Sequence, residues 1–167
     1  LKLYIGSFSQ SVFPSLQAVE NIIARDVGKA VGAEVTVHLT RIGDWKQPAC
    51  DFSGIVLEHE DLGEALFKDY EINPSLLALR PDGEIVTETL VTHVLRSRCP
   101  VTGQPDFASV RIEYQGKAIE HRALLAYLVS FRRHQGFHEQ CVEHIYTDLM
   151  ERCAPQSLSV YGAFTRR

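Results

Sequence analysis

The sequence has no excess of basic residues and no long apolar run. Its 167 residues carry 17 Lys and Arg against 21 Asp and Glu, a net charge of −4, so we expect no basic surface for binding phosphate backbones. Direct contact with nucleic acid is therefore not predicted. The longest purely apolar run, LLAYLV at 124–129, is too short to cross a membrane, so no membrane association is predicted either.

Familiar motifs for cofactors and metals are also missing. There is no GxGxxG fingerprint and no P-loop, so a dinucleotide is not expected to bind in the Rossmann manner. Cys50, Cys99, Cys141 and Cys153 form no CxxC pair and match no zinc module. They do not make a disulfide framework, which favours a reducing, cytoplasmic setting. No signal peptide is visible, and because the chain opens on Leu1 rather than Met, we interpret it as a piece of a longer protein.

The sequence does contain an internal repeat. LKLYIGSF at the start resembles LLAYLVSF at an offset of 123 residues, and identical residues recur at that offset as far as Val37 and Val160. Matches this widely spread, without a gap, indicate two copies of one module. Each copy is predicted as helix, helix, strand, and the first copy's strand is marked by the alternation of Val35, Val37 and Leu39.

Further strands are predicted ahead of the second helix pair. Residues 88–98 and 107–115 alternate in the manner of strands around the turn PVTGQP, and another strand is predicted near SGIVLEH. The predicted fold class is α+β, an antiparallel sheet with paired helices on one face, made twice as two tandem modules. We place the first module and its connector at 1–84 and the second module at 85–167.

The turn of the predicted hairpin has Cys99 and Asp106 at its two ends. The structural interpretation is a small buried hydrophobe and an ordinary turn residue. The functional one starts from Pro100, which forces Cys99 to be extended at the end of a strand, where side chains are exposed, so the thiol is a candidate nucleophile facing a proton donor. Cys141 and Cys153, in or beside an apolar helical stripe, are predicted to pack in the core.

GFHEQCVEH carries a polar pair, His138 and Glu139, in the first turn of the second helix. A carboxylate at a helix N-terminus is favourable in itself, but the first copy has Ser15 and Leu16 at the equivalent positions. Because a structural need would apply to both copies, the pair favours a binding role. Val142 stands where an HExxH motif needs its second histidine, which excludes that zinc site.

Three segments, SRCPVTGQPDFASV, LVSFRRHQGFHEQC and LSVYGAFTRR, closely resemble the bimodular 7-cyano-7-deazaguanine reductases, the NADPH-dependent nitrile reductases of queuosine biosynthesis. The resemblance is dense over 85–167 and good over 1–40. It implies the tunnelling fold, related to GTP cyclohydrolase I, in a cytoplasmic homodimer. It also implies a metal-free reaction in which NADPH reduces the nitrile of 7-cyano-7-deazaguanine to a primary amine through a covalent thioimide.

The resemblance implies roles for residues by their positions in these motifs. Cys99 matches the nucleophile that forms the thioimide, and Asp106 matches its proton donor. His138 and Glu139 match the pair that holds the deazaguanine, and Phe137 is expected to line the same pocket.

The cofactor residues implied by the resemblance lie at the two ends of the chain. Arg167 matches an arginine that contacts NADPH. The family's cofactor motif, Glu-Ser-Lys-Ser-Phe-Lys or close variants, survives here only as Leu1 and Lys2, which makes Lys2 the second candidate for binding NADPH.

Two other interpretations stay open at this point. One is a zinc-dependent, cyclohydrolase-like enzyme of the same fold, with Cys99, His138 and Cys141 as ligands, although the ligands are not clustered in sequence. The other is a catalytically silent module that binds a purine or pterin. The retention of Cys99, Asp106, His138 and Glu139 together in the second copy disfavours silence.

Overall fold

The computed structural model describes residues 2–41, 44, 52–63 and 70–165. The chain divides into two compact units, Leu1–Cys50 and Asp51–Arg167. The short strand at Ile55–Val56 belongs to the second unit, because it pairs with the sheet of that unit. In the described part of the chain, no helix is long and apolar enough to cross a bilayer.

The first unit is built on a pair of helices. α1 spans Lys2–Ser7 and is followed by a 3₁₀ turn at Phe8–Gln10, and α2 spans Leu16–Val31. The hydroxyl of Ser15 caps α2 by accepting a backbone N–H at 3.1 Å, and Gly32 ends it with φ of 69°, a left-handed conformation that favours glycine. Both ends of α2 therefore follow from the local sequence.

The strand predicted around Val35, Val37 and Leu39 does not form among the described residues. These three side chains are half-buried and those between them are exposed, so the alternation itself is present. A strand also needs a hydrogen-bonded neighbour, and the described part of this unit contains none. The N–H of Leu39 donates instead to the carboxylate of Glu20, at 2.7 Å.

The second unit is a four-stranded sheet with two long helices, which confirms the predicted α+β class. Its elements in chain order are β1 (Ile55–Val56), β2 (Ile85–Arg98), β3 (Pro105–Lys117), α3 (His121–Ser130), α4 (His138–Cys153) and β4 (Ser157–Phe164). The strands lie in the order β1-β2-β3-β4. A 3₁₀ turn at Leu57–His59 follows β1 directly, so the strand predicted at SGIVLEH is reduced to two residues.

The sheet is mixed, whereas the prediction was a purely antiparallel one. β3 runs antiparallel to both β2 and β4, but β1 runs parallel to β2. The physical reason is the long connection between β1 and β2, which lets the chain return to its starting end before it enters β2. The predicted β-β-α-α-β order from β2 to β4 is otherwise confirmed.

The alternation along β3 determines which face of the sheet carries the core. Val110, Ile112 and Tyr114 are at most 2% exposed and belong to one buried cluster with side chains of α3 and α4. Arg111 and Glu113, between them, lie on the other face and are partly exposed. Each apolar side chain buried in this way contributes about 1.5–3 kcal/mol, so the helices are held on one face of the sheet.

Candidate active site

The β2–β3 hairpin carries Cys99 and Asp106 at its turn. Ser97 pairs with Asp106 in the antiparallel register, and the N–H of Cys99 donates to the carbonyl of Gln104 at 2.9 Å. Residues directly opposite each other project from the same face of a sheet. Cys99 and Asp106 are therefore diagonal neighbours on one face, the face that α4 covers.

Cys99 is fully buried, so the expectation that its thiol is exposed was wrong. The turn folds back over it: the N–H of Gly103 donates to the Cys99 carbonyl at 2.9 Å, and the N–H of Thr102 donates to Sγ at 3.4 Å. Cys99 still pairs across the hairpin through its N–H, but this turn closes immediately after Pro100. An N–H donor aimed at the sulfur stabilises negative charge there, as a nucleophilic thiolate requires.

Asp106 is also fully buried, and His138 lies against it. Nε2 of His138 is 3.2 Å from Oδ2 of Asp106, although the two atoms are not aligned as a hydrogen bond. The Phe164 ring stacks on the imidazole with centroids 4.0 Å apart and planes 6° from parallel. His138 is thus held between a carboxyl group and an aromatic ring.

The segment that leads into α4 is hydrogen-bonded to the end of β2, and it places the first turn of the helix over the end of the hairpin. The N–H of Arg98, next to Cys99, donates to the carbonyl of His134 at 2.8 Å, and the N–H of Gly136 donates back to the carbonyl of Arg98 at 3.2 Å. A Cβ at Gly136 would stand 2.6 Å from Nε2 of His134, so any larger residue here would require the imidazole of His134 to move. The N–H of Phe137 then donates to the side-chain oxygen of Gln140 at 3.0 Å, which fixes the start of the helix.

A cleft of about 730 Å³ opens along α4 and β4. His138 and Glu139 line its end at the first turn of α4, and the remaining lining residues come from the same helix and strand: Val142, Glu143, Tyr146, Val160, Tyr161, Gly162 and Phe164. Exposed carboxylates beside aromatic surfaces suit a flat heterocycle that offers N–H donors.

The structure brings Asp106, His138 and Glu139 together at one end of α4, with Cys99 buried in the hairpin turn beside them. Cys99 does not line the cleft. Phe137 is half exposed at the start of the helix, next to the cleft rather than in its wall.

The two residues predicted to contact NADPH stay predictions. Arg167 lies outside the described residues, as does the side chain of Lys2, whose backbone begins α1 in the first unit. Cys50 also lies outside the described part of the chain.

Two neighbours of the site were not recognised from the sequence. Cys141 was predicted to pack in the core, or to bind zinc in the alternative interpretation, and not to lie near two carboxylates. It is fully buried, and burial raises the pKa of its thiol, helped by the charges of Asp106 and Glu139 and opposed by the Ser97 hydroxyl. Phe164, at the end of β4, was not singled out from the sequence. The available signal was that Phe164 follows Gly162 on the same face of that strand.

The zinc interpretation receives no support from the geometry. Across the described ranges, no group of three or more His, Cys, Asp or Glu side chains is arranged to hold a metal ion. Cys99, His138 and Cys141 are therefore not placed as a ligand set, although a tetrahedral zinc site needs its ligands to converge on one point.

Comparison with known proteins agrees with the resemblance seen in the sequence. Residues 105–167 match the family model described as QueF-like protein. The chain is 49% identical over 167 residues to a protein of Burkholderia multivorans, and 50% identical over the same length to one of Burkholderia ambifaria, both named NADPH-dependent 7-cyano-7-deazaguanine reductase. The matches cover 99% of this chain but 60% of each relative, so the chain spans about three fifths of their length.

Proposed function

We propose that this chain is part of an NADPH-dependent 7-cyano-7-deazaguanine reductase of queuosine biosynthesis, with Cys99 as its nucleophile. The reaction is the four-electron reduction of a nitrile to a primary amine, 7-aminomethyl-7-deazaguanine. The observation that carries the proposal is the placement of Asp106, fully buried, between the turn of Cys99 and the His138 imidazole at 3.2 Å. The names of the similar proteins support it.

The first step is addition of the Cys99 thiolate to the nitrile carbon. A carbon–sulfur bond forms, one π bond of the nitrile breaks, and the nitrogen takes a proton from Asp106 to give a thioimide. A thioimide accepts hydride far more readily than a nitrile, so the covalent step is what makes the reduction feasible.

Glu139 is proposed to orient the base. A carboxylate can accept from both the ring N–H and the exocyclic amine of a deazaguanine, in a bidentate arrangement. Glu139 lines the cleft on the first turn of α4, one residue after His138. The base held there would present its nitrile toward the hairpin that carries Cys99 and Asp106.

The cleft also has room for the nicotinamide of NADPH. Its volume is more than a bicyclic base fills, and the half-exposed rings of Tyr146 and Tyr161 offer flat surfaces beside Glu139. Two NADPH molecules, bound in succession, would each supply one hydride. Cys99 leaves as a thiolate after the first reduction, and the imine stays beside His138 and Glu139 for the second. Arg167 and Lys2 are the proposed contacts for the rest of the cofactor.

We also propose that the chain holds two copies of the tunnelling-fold module, in 1–84 with its connector and in 85–167, and that the protein is a cytoplasmic homodimer. The support lies inside each unit. The 3₁₀ turns Phe8–Gln10 and Phe131–Arg133 lie 123 residues apart, the offset of the sequence repeat. In each unit a tyrosine of the first helix donates its hydroxyl hydrogen to an aspartate of the second, Tyr4 to Asp26 and Tyr127 to Asp148.

The second candidate is a catalytically silent module that binds a purine or pterin. The observation that favours it is the complete burial of Cys99, because a nucleophile has to reach its substrate. Binding without turnover would be the signature of such a module.

The test uses the full-length protein with 7-cyano-7-deazaguanine and NADPH. We expect consumption of two NADPH for each 7-aminomethyl-7-deazaguanine formed, measured by absorbance and by mass spectrometry, and the same rate after treatment with a chelator. Tight binding of the base without NADPH consumption would instead identify the silent module. Loss of turnover on chelation, restored by zinc, would identify the cyclohydrolase-like enzyme.

A further inference from the structure

We infer that Phe164 is a positioning residue of the proposed active site and acts through His138. The inference rests on the proposed function, because it concerns the proton transfer at Asp106. Phe164 stacks on the His138 ring at 4.0 Å and 6°, and it touches neither Cys99 nor Asp106 in any described contact. Phe164 also lines the cleft, but its described contact with the proposed proton-transfer pair is the stack on the imidazole, and we infer that its effect on proton transfer passes through that ring.

The imidazole of His138 has two degrees of freedom that matter, the tilt of its plane and the direction of Nε2. Contact of Nε2 with Oδ2 of Asp106, at 3.2 Å, fixes a single point of the ring. A ring held at one atom can still rotate about that contact. The nearly parallel Phe164 ring fixes the plane as well, so the two neighbours together give the imidazole one orientation.

Phe164 is itself held firmly at the end of β4. It pairs with Ala108 in the register of the sheet, and the next residue, Thr165, donates its N–H to the carbonyl of Phe107 at 2.8 Å. These contacts fix the backbone on both sides of the ring. Since Phe164 packs against the buried core, its position does not depend on a ligand.

Gly162 provides the space in which the Phe164 ring lies. A Cβ at this position would stand 2.9 Å from Cγ2 of Val142 and 3.2 Å from Cε2 of Phe164. Any larger residue would therefore push the ring away from its present place or displace α4 at Val142. Gly162 thus leaves room for the Phe164 ring, and the Phe164 ring in turn sets the position of the His138 imidazole.

Loss of the Phe164 ring should slow proton transfer more than it weakens binding of the base. Without the stack, His138 can turn away from Asp106 into the cleft, where its side chain is already 29% exposed. Glu139, the proposed acceptor for the base, does not touch Phe164 in any described contact and keeps its place on α4. The rate of adduct formation is thus the quantity that should respond.

The experiment compares variants of the full-length protein by the rate at which 7-cyano-7-deazaguanine adds to Cys99 in the absence of NADPH, followed by intact mass. We expect Phe164→Leu to slow this rate about tenfold or more, since small misplacements of catalytic groups have effects of this order. Phe164→Tyr keeps a ring in the stack and should recover most of the loss. Substrate affinity should change by less than the rate does.

The decisive arm is a double variant. Because Phe164 acts through His138, adding Phe164→Leu to His138→Ala should slow adduct formation no further than His138→Ala alone. Leu158→Ala is the matched control: it removes packing from the same strand and the same face but does not line the cleft, and it should leave the rate near wild type. Independent, multiplying effects of the two variants would overturn the inference, as would a wild-type rate in Phe164→Leu.

A second readout does not depend on activity. In the wild type, the ring protons of His138 should show an upfield ring-current shift in NMR spectra, lost in Phe164→Leu and kept in Phe164→Tyr. If Phe164→Leu fails to fold, Gly162→Ala tests the same arrangement and should also reduce the shift. If the wild type forms no adduct, the proposed function fails, and a His138 shift unchanged by these variants would separately overturn the positioning role.

Discussion

The two helix pairs of the chain have similar sequences and different surroundings. In each, a serine hydroxyl donates to a tyrosine carbonyl at 2.6 Å, and the tyrosine meets the next phenylalanine edge to face at 5.2 and 5.4 Å. Yet Ile5 in α1 is 41% exposed, whereas Leu128, at the equivalent position in α3, is fully buried. The contacts within each helix pair therefore follow from the local sequence. Burial of the helices requires a sheet to pack against, and among the described residues that sheet is formed by the second unit.

The starts of the longer helices differ in a second way. Ser15 caps α2 with its hydroxyl, but the residue at the same place in the repeat is His138, which contacts Asp106 instead. The start of α4 relies on Gln140 for its side-chain cap. The second copy has thus replaced a residue that stabilises a helix with one that faces the candidate site, a substitution that stability alone does not explain.

The largest expected effect is a loss of stability, and it tests whether the sheet accounts for the difference between the two helix pairs. Leu128→Ala should lower the free energy of unfolding of the second unit by about 2–5 kcal/mol, because it leaves a cavity in a closed core. Ile5→Ala, at the equivalent position, should cost much less, because that side chain already meets water. Denaturant titrations of both variants measure the difference. Equal losses would show that α1 is buried as deeply as α3.

The sequence predicted well those parts of the fold that depend on neighbouring residues. The hairpin expected at 88–98 and 107–115 is present as β2 and β3, because alternation is a local property. β2 begins three residues earlier than predicted, and β3 extends two residues further at each end. The apolar helical stripe predicted the burial of Cys141 and Cys153 for the same reason, and both are buried in α4. The parallel pairing of β1 with β2 could not be predicted, since it depends on where a long connection returns.

The residues of the candidate site were named from the sequence, but their arrangement in three dimensions was not predicted. Cys99 and Asp106 follow from the hairpin, yet the burial of Cys99 depends on how the turn closes and on the chain around His134, which arrives from beyond α3. The contact between His138 and Asp106 joins residues far apart in sequence. The periodic patterns of apolar residues that predict helices and strands contain no information about such a contact.

A second prediction exchanges the helix starts. Replacing His138 and Glu139 by the first copy's residues, as His138→Ser with Glu139→Leu, should keep α4 folded, since serine is a good helix cap. It should abolish detectable binding of 7-cyano-7-deazaguanine, measured by calorimetry on the full-length protein. The reciprocal change, Ser15→His with Leu16→Glu, is the control and should leave binding unchanged. Retained affinity after the first exchange would remove α4's first turn from the binding site.

A smaller change tests Glu139 alone. Glu139→Gln keeps the size of the side chain but turns one acceptor oxygen into a donor that faces the N–H groups of the base. We expect binding weaker by about 1–3 kcal/mol, the usual cost of leaving a polar group without its partner. The melting temperature should not change, because Glu139 is exposed. Wild-type affinity in this variant would mean that Glu139 does not contact the base.

The smallest expected effect concerns the other two thiols of the second unit. Burial raises the pKa of Cys153 to about 11 and also raises that of Cys141, so both stay neutral at pH 8. Iodoacetamide should label them slowly in the native protein and quickly after unfolding in urea, as peptide mass spectrometry would show.

The raised pKa of Cys153 also determines whether stability rises or falls with pH. A folded-state pKa of about 11 for Cys153 lies above the ordinary value of 9.0. Its contribution to stability is therefore complete below pH 9 and is lost as the pH rises through 11. Rapid labelling of native Cys153 at pH 8 would contradict this account of its burial.

The most direct test of the central claim is the intact mass of the full-length protein incubated with 7-cyano-7-deazaguanine and no NADPH. Addition of a thiolate to a nitrile keeps every atom, so the mass should rise by one whole substrate, and peptide mapping should place it on Cys99 rather than on Cys141 or Cys153. Asp106→Asn should form the adduct poorly, since the nitrogen lacks its proton donor, and NADPH should discharge the wild-type adduct as the amine. An adduct that never appears, or that appears equally in Cys99→Ala, would contradict the claim.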